Sequence, residues 1–301
     1  MNSTKPLCIS EFSKLYGELI AVDNLNLEVN AGEVFGFLGP NGAGKSTTIR
    51  TMLNFIAPSS GEIKIFGLDS VKDSVQLKEH VGYLAGDIAL YGNMTGNQVL
   101  NYLAYLRKNS DWKYVADLIN RLDAPMDKPI QQLSKGNKQK IGLLQAFMHK
   151  PDLLILDEPT SGLDPLIKQV FYEMVLEMKK AGKAAFISSH DLTEVQKICD
   201  RAGFIRDGKL IATENLHDEN AINYRKYKVR FEKTPNISEF TKLTNIDVTS
   251  SNDKDMIFTV TGSIDAFVKA IAGYKVLDLD EQETSLEDVF MQYYEKSNSN
   301  V

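Results

Sequence analysis

Short apolar segments alternate with amphipathic segments over the first two-thirds of the chain. Glu33–Leu38 has the composition of a strand and runs into a glycine-rich turn, after which a helix is predicted over about Lys45–Asn54. Leu153–Leu156 and Ala184–Ile187 are apolar at every position, which indicates strands that are buried on both faces. This alternation predicts an α/β core.

A block of helices is predicted between the early strands and Leu153. Apolar residues recur at helical spacing along three stretches of this block. Their positions are Val99, Leu100, Leu103 and Leu106, then Val115, Leu118, Ile119 and Leu122, then Ile141, Leu144 and Phe147. The simplest account is a helical subdomain over about residues 87–150 that is inserted into the α/β core.

The pattern changes to short strands and short helices after residue 217. The pair Asp207-Gly208, between apolar flanks, predicts a hairpin turn just before this change. Strands are predicted at Lys228–Phe231, Ile246–Thr249, Ile257–Val260 and Lys275–Leu279, and helices at Ile237–Leu243, Ile264–Ile271 and Leu286–Tyr293. The order β-α-β-β-α-β is typical of a small α+β module of ferredoxin-like type. We therefore expect a first domain over residues 1–217 and an accessory or regulatory module over residues 218–301.

Composition narrows the classes of function. The chain has 301 residues, of which 43% are apolar and 25% charged, values typical of a globular protein. Its net charge of −6 weighs against a protein that binds nucleic acid by neutralising phosphates. Two cysteines, Cys8 and Cys199, cannot form a disulfide framework and favour a reducing compartment. Apolar stretches are too short for a membrane span and no secretory signal is visible, so any membrane role is expected to require a partner.

The strongest chemical signal is a glycine-rich loop between the predicted strand Glu33–Leu38 and the helix after it. The loop has the pattern G-x-x-x-x-G-K-[ST] and consists of Gly39, Pro40, Asn41, Gly42, Ala43, Gly44, Lys45, Ser46 and Thr47. Glycines let successive N–H groups point at phosphate oxygens, and the helix start adds unpaired donors. Lys45 is expected to reach the β- and γ-phosphates, and Ser46 to ligate Mg²⁺.

A second signal is the apolar strand Leu153–Leu156, which is followed by two carboxylates, Asp157 and Glu158. A buried parallel strand delivers the residues at its carboxyl end to the crevice where α/β proteins bind ligands. We expect Asp157 to hold Mg²⁺ and Glu158 to polarise the attacking water, because two neighbouring acids can differ in environment and role.

The motifs over about residues 5–220, in the order in which they occur, resemble those of the nucleotide-binding subunit of an ABC transporter. Five further segments match that family: Tyr16 in Leu15-Tyr16-Gly17, the stretch Val81–Gly86, the signature-like Leu133-Ser134-Lys135-Gly136-Asn137, the Ser161–Asp164 turn, and His190 after a strand. The resemblance implies a P-loop ABC cassette with a mixed core sheet and a helical subdomain.

The resemblance also implies a role for each matching residue. Glu158 and His190, with Lys45, would be the catalytic groups, and Tyr16 would stack on the adenine of ATP. Ser134 is a predicted helix cap whose hydroxyl, together with the Gly136 N–H, could receive an anion. In the family that anion is the γ-phosphate of ATP that is held by the opposite subunit. The remaining histidines, His80, His149 and His217, are interpreted as surface or packing residues.

Two departures from the family pattern bear on turnover. Gly86 stands where the family usually has a glutamine, and Asp87 follows it. Lys135 and Asn137 replace a glycine and a glutamine of the signature, which keeps Ser134 and Gly136 but changes their surroundings. ATP binding is therefore a safer expectation than a rate of hydrolysis.

The family resemblance implies two partners. One is a second copy of the chain, or a paralogous ATP-binding subunit, with ATP and Mg²⁺ between the two. The other is an integral-membrane permease that the helical subdomain contacts at the cytoplasmic face of the plasma membrane. Asp164-Pro165, the Leu-Ser-Lys-Gly signature and the C-terminal Ser285–Phe290 resemble bacterial exporter subunits most closely.

Two alternatives stay open. A soluble ABC ATPase that acts on nucleic acid or the ribosome is favoured by the basic stretch Tyr224–Arg230, although alternating charge on an edge strand explains that stretch equally well. A non-catalytic regulatory ATP-binding subunit is favoured by Gly86.

Overall fold

Strands and helices occur in both parts of the chain, up to residue 216 and beyond it. The computed structural model describes residues 5–107, 111–216, 224–243, 245–252 and 254–282. Contacts divide the chain into two units, Met1–Leu216 and His217–Val301, which we call the cassette and the C-terminal module. This division falls one residue from the boundary that the sequence predicts.

The described elements of the cassette are ten strands and seven α-helices. The strands are β1 (Leu7–Tyr16), β2 (Leu19–Val29), β3 (Val34–Leu38), β4 (Ser60–Ile65), β5 (Leu68–Asp69), β6 (Val81–Leu84), β7 (Leu153–Asp157), β8 (Ala184–Ser189), β9 (Arg201–Arg206) and β10 (Lys209–Asn215). The helices are α1 (Lys45–Met52), α2 (Ser74–His80), α3 (Gly96–Arg107), α4 (Trp112–Leu122), α5 (Lys135–Phe147), α6 (Pro165–Lys180) and α7 (Leu192–Ile198), with a short 3₁₀ helix at Ile130–Gln132.

A six-stranded sheet lies at the centre of the cassette in the order β10-β9-β3-β8-β7-β6. Neighbouring strands from β9 to β6 pair in parallel, and β10 pairs antiparallel with β9. The predicted mixed core sheet is confirmed. The hairpin between β9 and β10 turns at Asp207 and Gly208, whose φ angles of 47° and 78° are those that a tight two-residue hairpin turn requires.

The strands β3, β7 and β8 are buried at every position, as the unbroken apolar segments predict. Phe35 and Phe37 of β3 pack on Phe186 of β8, with ring centroids 6.0 and 5.2 Å apart. Because these strands are parallel, their carboxyl ends meet at one edge of the sheet, where Leu38 pairs with Ser189 and Asp157 with Ser188.

A second, antiparallel sheet with the order β2-β1-β4-β5 completes the cassette, and the sequence analysis did not predict it. One face of this sheet, with Leu7, Phe12 and Val22, shares a hydrophobic core with the central sheet and with Ile49 of α1. Its signal in the sequence was the alternation of apolar and polar residues along Leu25–Val29, which is typical of a strand buried on one face only.

The helical subdomain forms as predicted, since α3, α4 and α5 cover the three stretches of helical spacing. Val99, Leu118 and Ile141, one from each helix, are buried. Asp111 caps α4 by accepting a hydrogen bond from the Tyr114 N–H at 3.1 Å. No helix of the described residues combines the length and the apolar character that crossing a membrane requires.

The C-terminal module contains β11 (Tyr224–Phe231), α8 (Ile237–Phe240), β12 (Ile246–Asn252), β13 (Asp255–Thr261), α9 (Asp265–Ile271) and β14 (Val276–Gln282). This is the predicted β-α-β-β-α-β order, and the strands form an antiparallel sheet in the order β12-β13-β11-β14. Phe240 of α8 and Phe267 of α9 pack with Phe258 and Phe231 in its core. Helix α8 is shorter than predicted, and the predicted helix at Leu286–Tyr293 lies outside the described residues.

The basic stretch of the module is not on an edge strand, so that part of the sequence interpretation is wrong. Strand β11 lies between β13 and β14 and alternates, with Tyr227, Val229 and Phe231 filling the core. Between these core positions lie Lys228 and Arg230, and Arg230 forms an ion pair with Asp255 at 2.8 Å. The positive charges are thus the polar positions of an interior strand, as on an ordinary solvated sheet face.

We expect Phe186→Ala to lower the free energy of unfolding of the cassette by about 3–5 kcal/mol, because a fully buried ring between Phe35 and Phe37 leaves a cavity. The measurement is a denaturant titration of the full chain. Tyr105→Ala is the control, since that ring is 80% exposed and its loss should change stability by less than about 0.5 kcal/mol. Equal unfolding midpoints for the two variants would contradict the packing described.

Candidate active site

The loop from Gly39 to Gly44 joins β3 to α1 and is closely enclosed by neighbouring backbone. A β-carbon at Gly39 would lie 2.3 Å from the Ile205 carbonyl oxygen. Gly44 precedes the first turn of α1 with a φ of 110°, and a β-carbon there would lie 2.7 Å from the Ala21 carbonyl oxygen. Only glycine fits these two positions, so the loop can present its N–H groups at the start of α1.

Lys45 is the cation of this loop, and its side chain is almost fully buried at 6% exposure. Its Nζ donates to the carbonyl oxygens of Gly39 at 2.6 Å and Pro40 at 3.2 Å, and it lies 3.7 Å from Glu158 Oε1. Burial lowers the pKa of Lys45 below its usual value, and the charges of Glu158 and Asp157 oppose that shift. The ammonium group therefore lies in a position where a further anion would stabilise its charge.

Ser46 and Asp157 meet at the edge of the sheet. The Ser46 hydroxyl donates to Asp157 Oδ2 at 2.8 Å, and the Ser188 hydroxyl of β8 donates to Oδ1 of the same carboxylate. Carboxylate and hydroxyl oxygens are the ligands that Mg²⁺ takes in nucleotide sites. The pair, beside the start of α1, therefore fits a magnesium ion.

Glu158 and His190 form the second polar pair, with His190 Nδ1 2.6 Å from Glu158 Oε2. Glu158 has a φ of 51°, a left-handed conformation that is uncommon for a residue other than glycine. Its N–H donates to Ser188, to the carbonyl oxygen at 3.1 Å and the hydroxyl at 3.2 Å. Such strained residues persist where the surroundings hold them, and they cluster at functional sites.

These groups line one open cavity of about 450 Å³ at the carboxyl edge of the central sheet. Among its lining residues are Asn41, Lys45, Ser46, Asp157, Glu158 and His190. Arg50 and Tyr83 also border the cavity. Burial raises the pKa of the Tyr83 hydroxyl, the charge of Asp157 adds to that shift, and the charge of Arg50 opposes it. The structure therefore brings together the loop, the two carboxylates and the histidine that the sequence analysis singled out.

Five predicted site residues do not line this cavity: Tyr16, Gly39, Ala43, Ser134 and Gly136. Tyr16 ends β1 with its ring 47% exposed, and Lys14 Nζ lies 5.1 Å from the ring centroid. Ser134 caps α5 as predicted and accepts a hydrogen bond from the Asn137 N–H at 3.3 Å. Within one chain, Ser134 and Gly136 thus lie outside the cavity that the loop lines, although Lys135 between them borders it.

Lys135 and Gly136, at the start of α5, contact the turn after β7. Lys135 Nζ donates to Ser161 Oγ at 2.9 Å, and both residues border the cavity. A β-carbon at Gly136 would lie 2.4 Å from the Gly162 carbonyl oxygen. The signature segment and the Ser161–Asp164 turn are therefore in close backbone contact.

Gly86 lies directly beside Asp157. A β-carbon at position 86 would lie 3.2 Å from Asp157 Oδ2, so the space next to this carboxylate is narrow. Asp87, the next residue, borders the cavity. The chain therefore presents a carboxylate near the position where the family usually has an amide side chain.

Sequence reasoning missed Gln139, a polar residue of α5 that is 1% exposed. Its Nε2 donates to the carbonyl oxygens of Pro159 at 2.7 Å and Glu158 at 3.2 Å. Its signal in the sequence was its position, four residues before Leu143 on the buried face of the helix. Glu194 of α7, also buried, was missed as well.

The remaining histidines are packing or surface residues where the structure describes them, as predicted. His149 Nε2 lies 3.1 Å from the Val81 carbonyl oxygen, and burial, with the charge of Arg107, lowers the pKa of His149 to about 4. His80 is exposed, and its Nδ1 lies 2.8 Å from Asp152 Oδ2. His217 lies outside the described residues.

The fold and the cavity together define a class of protein. A phosphate-binding loop runs into α1, and the two carboxylates follow a parallel strand of the same sheet. This is the arrangement of a P-loop nucleoside triphosphatase.

Comparison with known proteins identifies the family. Residues 22–161 match the family model described as ABC transporter. The chain is 38% identical over 206 residues to the bacitracin transport ATP-binding protein BcrA of Bacillus licheniformis, an alignment that covers 67% of each chain. The chain belongs to the ABC transporter family as an ATP-binding subunit, and its cassette is an ABC ATPase.

Two further similarities agree with this assignment. The probable multidrug ABC transporter ATP-binding protein YbhF of Escherichia coli (strain K12) is 37% identical over 216 residues, which are 70% of this chain but only 37% of YbhF. A solved structure described as the ATP-binding subunit of an ABC transporter superposes with a TM-score of 0.67 at 28% identity, covering 71% of this chain and 91% of that one.

We expect Gly136→Ala to lower the rate of ATP hydrolysis by at least about tenfold, because the new methyl group must push the Gly162 carbonyl and the start of α5 apart, and small displacements at a reacting centre are costly. The rate is measured by phosphate release. Gly92→Ala is the control, since a β-carbon there would meet only the Gln131 side chain, at 3.6 Å. Equal rates for both variants would contradict this expectation.

Proposed function

We propose that this chain hydrolyses ATP in a head-to-tail dimer and thereby powers a separate membrane permease that exports its substrate. The observation that carries the proposal is the Glu158–His190 pair, which lies in one cavity with Lys45, Ser46 and Asp157. The partner in the dimer is a second copy or a paralogous ATP-binding subunit.

The proposed chemistry assigns a role to each of five polar residues that line the cavity. Lys45 binds the β- and γ-phosphates with the N–H groups of the loop. Ser46 and Asp157 hold Mg²⁺, which neutralises charge on the phosphate oxygens when it is bound. Glu158 orients the attacking water and accepts its proton, and the exposed His190 holds Glu158 through Nδ1 and can donate to the terminal phosphate.

Dimerisation explains why Ser134 and Gly136 lie outside the cavity of their own chain. The Ser134 hydroxyl and the Gly136 N–H lie at the start of the 13-residue helix α5, whose unpaired N–H groups favour an anion. In a head-to-tail pair, Ser134 and Gly136 of each subunit would complete the ATP site of the other. ATP then bridges the subunits, and its hydrolysis releases them.

Coupling to a permease at the cytoplasmic face of the membrane is supported by the surface of the helical subdomain. Tyr91, Tyr105 and Leu106 there expose more than half of their side chains. Exposed aromatic and apolar groups in one region are typical of a surface that binds another protein. The names of BcrA, a bacitracin transport protein, and YbhF, a probable multidrug transporter protein, favour export. We propose that residues 218–301 serve as an accessory or regulatory module of this subunit.

A second candidate function is a regulatory subunit that binds ATP without hydrolysing it, and Gly86 is the observation that favours it. The position beside Asp157 carries no side chain that could contact Mg²⁺. A phosphate-release assay on the purified chain separates the two candidates, because a regulatory subunit would bind ATP and release no phosphate.

We expect Glu158→Gln to retain ATP binding, to lose turnover by about 100-fold or more, and to accumulate as an ATP-bound dimer. The amide keeps the size of the side chain but cannot accept the proton of the attacking water. Nucleotide binding, phosphate release and light scattering measure the three effects.

The control for this variant is Glu173→Gln on α6, whose carboxylate is 54% exposed and does not line the cavity. It should match the unmodified chain in all three measurements. Full ATPase activity in Glu158→Gln, or a variant that stays monomeric with bound ATP, would refute the proposed roles.

We expect Tyr16→Ala to raise the Kd for ATP by about 5- to 150-fold, because stacking of a base on an aromatic ring contributes ~1–3 kcal/mol. Tyr16→Phe should keep the affinity, since the ring and not the hydroxyl would contact adenine. A fluorescent ATP analogue provides the measurement. An unchanged Kd in Tyr16→Ala would remove Tyr16 from the binding site.

A further inference from the structure

Glu194 is a buried carboxyl group that the proposed chemistry does not use. It lies on α7 and is 2% exposed. Its Oε2 accepts hydrogen bonds from Thr160 Oγ1 at 2.9 Å and from Ser189 Oγ at 3.1 Å. Its Oε1 has no hydrogen-bond partner among the described residues.

The two hydroxyls belong to the two segments that carry Glu158 and His190. Thr160 comes two residues after Glu158, in the turn that follows β7. Ser189 is the last residue of β8 and directly precedes His190. Ser189 Oγ also accepts the Asp191 N–H at 3.0 Å, so the backbone is held on both sides of His190. Glu194 thus joins the two segments from the side that faces the protein interior.

A carboxyl group is a costly way to fill this space. Burial raises the pKa of Glu194, and Asp191 adds to that shift, whereas the two hydroxyls and Lys168 oppose it. A buried carboxyl oxygen without a partner carries a desolvation penalty that an apolar side chain of similar size would avoid. Packing therefore does not explain why this position holds a glutamate. The two hydrogen bonds that its carboxyl oxygen accepts explain it.

We propose that Glu194 is a positioning residue for hydrolysis. By accepting hydrogen bonds from Thr160 and Ser189, it holds the segments of Glu158 and His190 in a fixed position relative to each other. The inference rests on the proposed function, in which the Glu158–His190 pair performs hydrolysis. The 2.6 Å contact between Glu158 Oε2 and His190 Nδ1 joins two separate segments of the chain. Glu194 accepts one hydrogen bond from each of these segments. Without the carboxyl oxygen, ATP would still bind at the loop of Lys45, but the groups that act on water would be misaligned.

The test compares Glu194→Met, which keeps the length but removes the acceptor, with Glu194→Gln, whose amide oxygen can accept both hydroxyls. We expect Glu194→Met to lower kcat for phosphate release at least tenfold and to leave the Kd for ATP within threefold, since displacements near 1 Å cost about 100-fold in rate. Glu194→Gln should recover kcat to within about threefold of the unmodified chain.

Val195→Ala is the packing control, because Val195 is a fully buried neighbour on the same helix and offers no acceptor. It should lower the melting temperature and keep kcat. Thr160→Val removes one donor at equal volume without changing Glu194, and it should lower kcat with the Kd for ATP unchanged. If Glu194→Met does not fold, Thr160→Val tests the positioning role instead.

Three results would overturn the inference. The first is an unchanged kcat in Glu194→Met or Thr160→Val. The second is a loss of kcat in Glu194→Gln as large as that in Glu194→Met, and the third is an equally large loss of kcat in Val195→Ala. Glu158→Gln is assayed in parallel. If it abolishes hydrolysis while Glu194→Met does not, only the positioning role fails. If Glu158→Gln hydrolyses ATP fully, the proposed function fails, and the role of Glu194 fails with it.

Discussion

The parallel pairing of β3, β8 and β7 is the constraint on which the rest of the cassette depends. Each strand ends at the same edge of the sheet, so the phosphate-binding loop after Leu38, the carboxylates Asp157 and Glu158, and His190 after Ser189 converge, although up to 150 positions separate them along the chain. The unbroken burial of these strands fixes their register, because a shift would place polar strand ends in the core. The chemistry of the cavity follows from that register.

Charge balance in the cavity follows from the same convergence. Lys45 is buried, which lowers its pKa, yet two carboxylates and two carbonyl oxygens surround its ammonium group. Hydroxyls of Ser46 and Ser188 satisfy Asp157, and His190 contacts Glu158. A polyanion with its metal ion would enter a cavity in which a cation and two carboxylates already converge.

Side chains of two helices, α5 and α7, form hydrogen bonds to the segment after β7. Gln139 of α5 donates to the carbonyl oxygens of Glu158 and Pro159, and Glu194 of α7 accepts from Thr160. Because α5 begins at the signature segment, Gln139 links the helix of that segment directly to the Glu158 backbone. The strained φ of Glu158 is therefore supported by buried hydrogen bonds on both sides.

The sequence alone determined the local features, which are the three helices at regular apolar spacing, the buried strands and the Asp207-Gly208 hairpin. It also determined the residues of the phosphate-binding loop, because their chemistry depends on which side chains they carry. These depend on neighbours along the chain, so a pattern reveals them. The antiparallel sheet of β1, β2, β4 and β5, the interior place of β11, and the buried roles of Gln139 and Glu194 were decided only by tertiary structure. Each depends on contacts between segments far apart in the sequence, and a lone polar residue in a helix does not show which distant backbone or hydroxyl will satisfy it.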